Sequence, residues 1–246
     1  ADPNNYVYFN CSDYTNPSSN TCELWRIIGV FDENSHGING GKLVKLIRNE
    51  SLGDEVWDTD NAPTEPGAMW SIASLPETLN DGYLNKTGDY NSTGITAQTR
   101  EMIETVAWKV GLVYSSDFTT SSFYTHERNQ DEWERKIGLM YPSDYGYATD
   151  GGSIGRDTCL NEELSYWHSN SDCYLNNWLY TGESYWTLTL SGYNPDSTAF
   201  LIDGPLLEMG NNTTLSGVRP SVYLTSSISV TGGIGTSSNP YTLALN

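Results

Sequence analysis

Basic residues are scarce: 12 Lys and Arg stand against 31 Asp and Glu, a formal charge of −19. Such a field repels phosphate backbones and anionic headgroups, which excludes nucleic-acid and membrane-surface partners and favours solubility outside a cell. No apolar run approaches the ~20 residues that span a bilayer, and no secretory leader pattern opens the chain. The start, ADPNN, reads as processed or engineered, so a native leader or anchor is expected outside this sequence. Low-complexity, Pro-rich and charge-block segments are also missing, and one domain over residues 4–246 is expected. Catalytic and metal-binding spacings are absent as well. No GxSxG or P-loop run occurs, and no CxxC or Cys/His spacing suits zinc. HERNQ (126–130) begins like a zincin helix but lacks the second His, while His36 and His168 stand apart from it. DTDNAP (58–63) starts like a calcium loop, yet Pro63 takes the place of the turn Gly and Met69 that of the bidentate Glu. Two carboxylate readings stay open. Asp144 and Asp150, with nearby carbonyls, are calcium candidates; Glu127, Asp131, Glu132 and Glu134 form either a solvated acidic loop or a hydrolase carboxylate pair. The expectation is no cofactor, no metal and no enzyme.

What is present is aromatic. Hydrophobic residues make up 37% of the chain and aromatics 12%, with 8 Trp and 17 Tyr, so the core leans on rings that bury large areas and keep a polar handle. Abundant Gly, Asn, Ser and Thr predict a loop-rich α+β protein with two helices. Cys11/Cys22 and Cys159/Cys173 are locally spaced pairs that suggest two disulfide loops and an oxidising location. Sequons at Asn10, Asn49, Asn85, Asn91, Asn211 and Asn212 mark expected exposed positions.

YVYFN (6–10) and LWRIIGVFD (24–32) read as strands. KLVKLIRNE (42–50) alternates apolar and basic residues, so one face is expected buried and the other wet. Asn39-Gly40-Gly41 between them predicts a hairpin turn. SIASLPETLNDGYL (71–84) reads as a short helix with Pro76 in its first turn. TAQTREMIETVAWKVG (96–111) carries an apolar stripe at helical spacing, with Thr96 as N-cap and Gly111 as the stop. Periodicity is lost from 112 to 175. Short strands then recur at 186–190, 198–202 and 206–209, with Asp203-Gly204 as a turn, and at 219–224 and 240–245.

Within Asn176–Leu224, NNWLY (176–180), YWTLTL (185–190) and SGVRPSVYL (216–224) look like framework around a polar, Gly-containing middle. That contrast suggests a display scaffold. Several segments also resemble a family of bacterial surface proteins, largely of gut Firmicutes, with a C-type-lectin-like fold. The resemblance rests on LWRIIGVFD, KLVKLIRNESLG, KIGLMYPSDYGYAT, NNWLY, WTLT and GVRPSVYLTSSISVTGG…SSNPYTL, and runs from Tyr6 to Leu243. Such proteins sometimes carry an N-terminal prepilin-like helix, which implies a pilus or cell-surface location. More distantly, the Trp segments and GVRP resemble the formylglycine-generating-enzyme branch, shared by the hypervariable display proteins of diversity-generating retroelements.

The resemblance implies a framework of Trp178, Trp186, Gly217, Arg219 and Pro220, and a display surface of Tyr193, Asn194, Asp196, Thr198, Leu201, Asp203, Leu206, Glu208, Asn211 and Asn212. Leu201, Leu206, Leu207 and Met209 depart from the Tyr- and Ser-rich pattern of that segment; they suit either a hydrophobic binding patch or strand residues facing the core. Arg219 fits either a loop clamp or an anion pocket, and the two Trp fit either core or sugar platforms. Enzymes of that branch use paired late cysteines, whereas none follows Cys173. The expected function is extracellular, adhesin-like binding of a protein or glycan on a host or neighbouring cell. A pilus subunit or a carboxylate hydrolase are the rivals.

Overall fold

The computed structural model describes residues 2–59, 70, 73–129, 132–193 and 198–246. Aromatic and β-branched runs build its first sheet, as suits a pleated, packed surface. Strands β1 (Tyr6–Phe9), β2 (Glu23–Phe31), β3 (Leu43–Arg48), β13 (Ser221–Tyr223) and β8 (Ile137–Gly138) lie in the order β1-β2-β3-β13-β8, every pair antiparallel. The expected hairpin is there with a longer loop. Asp32 caps one helical turn at Glu33–His36, Gly37 ends it at φ 74°, and Gly40, at φ 71°, donates to Glu33 Oε2.

The second sheet runs β11-β10-β9-β12-β4: Leu206–Asn211, Thr198–Asp203, Tyr185–Ser191, Leu215–Gly217 and Asp54–Val56. The short β6 (Leu112–Val113) also pairs with β9, in parallel. Two ribbons complete the strands: β5 (Val106–Lys109) with β7 (Glu132–Arg135), and β14 (Ile228–Gly232) with β15 (Thr242–Leu245). Strand β9 is buried throughout because both its faces are covered. Trp186, Leu188 and Leu190 point into one apolar cluster with Trp25, Trp57 and Trp108, and Tyr185 into a second with Phe123, Trp167 and Phe200.

The 96–111 segment departs from its helical spacing. Thr96 caps as expected, its Oγ1 accepting from Thr99 N, but the helix stops at Met102 and Ile103 is extended. Val106 and Trp108 instead join β5, where Trp108 donates to the Arg135 carbonyl and packs on Tyr223. Tertiary pairing of a β-branched and an aromatic residue overrides the stripe. Gly111 is no helix stop. It is glycine because a Cβ there would lie 2.3 Å from the His126 carbonyl oxygen.

The face of β3 expected to be wet is also buried: Lys45 is 0% exposed. More than two helices occur, too. Residues 112–175 hold short ones at Thr120–Glu127, Pro142–Tyr147, Arg156–Asn161 and Ser171–Leu175. One or two turns show no periodicity in sequence; caps hold them, with Thr119 Oγ1 accepting from Ser122 N and Asp144 Oδ2 from Tyr141 N.

Both disulfides form as paired from the sequence, Cys11–Cys22 and Cys159–Cys173, and they place the chain in an oxidising, extracellular-type environment. Among the described residues no helix is long and apolar enough to cross a membrane. Two sequons are buried rather than exposed. Asn10 is buried, with its side chain bonded to Gly94 and Thr96, and Asn212 is buried completely.

Candidate ligand-binding face

The framework residues clamp loops to the second sheet. Trp186, inside the core, donates to the Glu55 carbonyl at 2.9 Å. Gly217 donates to the Ser184 carbonyl, and a Cβ on it would stand 2.7 Å from that oxygen. Pro220 accepts from Arg48 N at 3.0 Å. Arg219 is buried, with Nε on the Arg48 carbonyl at 3.0 Å, Nη1 on that of Leu179 at 3.3 Å, and its guanidinium 5.0 Å from the Tyr185 ring centre. Burial lowers the Arg219 pKa from its ordinary value while Tyr185 opposes the shift, and burial pushes Tyr185 up to about 12. This is the loop clamp: the guanidinium hydrogen-bonds carbonyls of two distant segments rather than lining a ligand pocket. Trp178 is half-buried beneath the Arg26 guanidinium at 4.7 Å.

The display residues divide. The β10–β11 register pairs Phe200 with Met209, Leu201 with Glu208, Ile202 with Leu207 and Asp203 with Leu206. Since a strand's side chains alternate, Phe200, Ile202 and Leu207 enter the second cluster, while Ala199 and Leu201 pack on the first. Leu201 therefore serves packing, and Thr198 is half-buried. Asn212 leaves the display set entirely, because its side chain is 0% exposed. Asn194 and Asp196 lie outside the described residues. The outward set is Tyr193, Asp203, Glu208 and Asn211, with Leu206 half-buried at the rim. Asn211 spends its Oδ1 on Thr213, and Asp203 accepts from Ser184 Oγ.

What remains open is the edge strand β11. Beside it lies a hollow of ≈ 280 Å³ lined by Phe118, Ser165, Phe200, Leu206, Leu207, Glu208 and Met209. Met209 is 51% exposed and Tyr193 66%, and the Tyr193 ring stands edge-on to that of Tyr114 at 6.3 Å. The sequence reading missed Phe118, Ser165 and Tyr114. They come from the 112–175 region, and only the folded chain carries them to β11. Gly192 alone hinted at Tyr114, since a Cβ there would lie 2.6 Å from that ring. Of the four apolar departures, Leu201 packs against the first cluster, Leu207 belongs to the second and also walls the hollow, and Leu206 and Met209 line the hollow.

Glu127 and Glu132 are engaged apart from one another. Glu127 is buried and ion-paired to Arg128, whereas Glu132 is exposed and ion-paired to Lys109. Asp131 lies outside the described residues. Asp144 is committed to Lys45 and Tyr141 rather than to calcium, and the exposed Asp150 accepts from Gly152 N. Among the described residues no cluster of three His, Cys, Asp or Glu could hold a metal ion. No family model, curated protein or solved structure matches the chain.

Proposed function

We propose that this is an extracellular ligand-binding domain of C-type-lectin-like fold, borne on a bacterial surface, that binds a protein through the β11 edge and its hollow. One observation carries the reading. An edge strand presents Leu206, Glu208 and Met209 around an apolar hollow while its hairpin partner is anchored on both faces by core. Rigid anchoring means that little ordering entropy remains to be lost on binding. Apolar side chains and Tyr193 supply contact area, and the acids around them suit a partner with basic groups at its rim. Protein fits better than glycan because the hollow is walled by Phe118, Phe200, Leu206 and Leu207.

Screening against displayed extracellular proteins and glycans, followed by the triple substitution Tyr193→Ala, Glu208→Ala, Met209→Ala, tests this reading. Binding should fall by at least about a hundredfold, the loss of two or three hot spots, with little change in melting temperature. A triple variant that binds as well as the parent sinks the proposal. Variation among sibling copies confined to residues 191–216 would add the hypervariable reading.

The same edge supports the pilus-subunit alternative, since unpaired strand edges template addition of another chain. Concentration-dependent assembly blocked by the triple substitution would select it.

A further inference from the structure

Lys45 shares its strand face with Leu43 and Ile47, and its side chain is wholly buried. Four rings surround Nζ: Tyr141 at 4.4 Å, Trp108 at 5.3 Å, and Phe31 and Tyr223 each at 5.8 Å. Nζ donates to Asp144 Oδ2 at 2.6 Å, and the Asp144 side chain is itself 3% exposed. That oxygen also accepts from Tyr141 N at 2.9 Å. The other carboxyl oxygen, Oδ1, faces Arg128 Nη2 at 3.5 Å, and Nη2 is a buried donor with no hydrogen bond. Arg128 Nη1 is engaged by Glu127 and Ser143 Oγ, while Glu127 accepts from Ser143 N and Oγ. Two cations and two anions thus sit together among aromatic rings, and Arg128 and Asp144 also line a hollow of ≈ 220 Å³.

We propose that Lys45 and Asp144 condense into an intramolecular amide, a covalent tie between β3 and the Pro142–Tyr147 helix. The ammonium passes one proton to Oδ2, to which it is already hydrogen-bonded, leaving a neutral amine beside a neutral carboxylic acid. Burial favours loss of the ammonium proton, because low dielectric disfavours the charged form. It holds the Lys45 pKa below its ordinary range, against the Asp144 carboxylate, which raises it. The Nζ lone pair then adds to Cγ. Negative charge gathers on Oδ1, where the idle Arg128 Nη2 closes to a hydrogen bond and acts as an oxyanion donor. Nζ gives its second proton to the departing Oδ2, the Cγ–Oδ2 bond breaks, and one water leaves. Ammonium plus carboxylate becomes amide plus water, with no oxidant and no net proton change. One cation and one anion disappear together, so Arg128 and Glu127 remain a balanced pair.

The test is the intact mass of the full chain after reduction and denaturation. The expected mass is one water below that of the sequence, and the mass of the complete sequence would overturn the proposal. Trypsin should then release residues 43–48, uncut at Lys45, joined to residues 137–156. Dehydration at an Asp-Gly pair such as Asp203-Gly204 gives the same mass loss but leaves both peptides linear, which also overturns it. Lys45→Met and Asp144→Ala should each show the full mass of their own sequence, and water loss in either would locate the bond elsewhere. Because the parent chain decides the matter alone, a variant that fails to fold does not weaken the test.

Discussion

Two adjacent asparagines, three and four residues after Glu208, show how far one side chain can differ from its neighbour. Asn211 is exposed and Asn212 fully buried, its carbonyl accepting from Asp58 N at 3.0 Å. Asn212→Ala keeps that backbone bond but empties a fully buried side-chain site, so it is expected to lower the unfolding free energy by about 0.5–3 kcal/mol. Glu208→Ala should stay within about 0.5 kcal/mol, as exposed positions do. Urea denaturation of the two variants checks the contrast, and equal effects would contradict the burial assignments. The same scale accounts for what the Arg219 clamp contributes: bonds to Arg48 and Leu179 join segments far apart in sequence, which no local pattern announces.

Among elements, the crossing of residues 111 and 126–127 is a tight constraint on the middle of the chain. Gly111 N donates to the Glu127 carbonyl at 3.1 Å, and the His126 carbonyl fills the space a Cβ would need. Gly111→Ala should cost about 1–3 kcal/mol, the range for overpacking, visible as a lowered denaturation midpoint. An unchanged midpoint would mean that the His126 carbonyl does not crowd this position. Sequence pattern was most informative where a strand is long and its partner nearby. The β2–β3 hairpin and β9, β10 and β11 all fall where alternation and turn residues place them, as do the Thr96 cap and the Asp203-Gly204 turn, with Gly204 at φ 57°. It failed where a contact distant in sequence decides. Val106–Lys109 is strand because β7 pairs with it, and Lys45 is buried because Asp144, 99 residues on, meets it. Leu206 and Glu208 were expected on the open side of β11 and Met209 was left between patch and core, while the far wall, Phe118 and Ser165, depends on short helices with no visible period.

For the whole molecule, the aromatic core predicts its own alkaline limit. Burial raises the phenol pKa of Tyr185 and of Tyr90 to about 12, from 10.0. Burial also raises Tyr83, Tyr145 and Tyr223 well above that value. A folded-state pKa above the unfolded one means the native state holds protons the unfolded chain would release. Stability from these groups is complete below pH 10.0 and drains away as pH climbs toward about 12. The last phase of phenolate absorbance, that of the buried rings, should accordingly coincide with the loss of circular dichroism. Phenolate absorbance complete before the fold is lost would show these rings to be accessible.

The first strand and the last stretch of chain lie alongside one another: Tyr6 N donates to the Gly235 carbonyl at 2.9 Å, and Tyr241 N to that of Tyr6 at 2.9 Å. Because the two run parallel, with Val7 beside Tyr241, the ends they lead to diverge, and tethers fused to them would leave from opposite ends of this strand pair. A circular permutant cut between Gly40 and Gly41 should fold with native circular dichroism, since exposed loops tolerate such openings, provided the old ends are joined by roughly ten glycines at about 3.3 Å each.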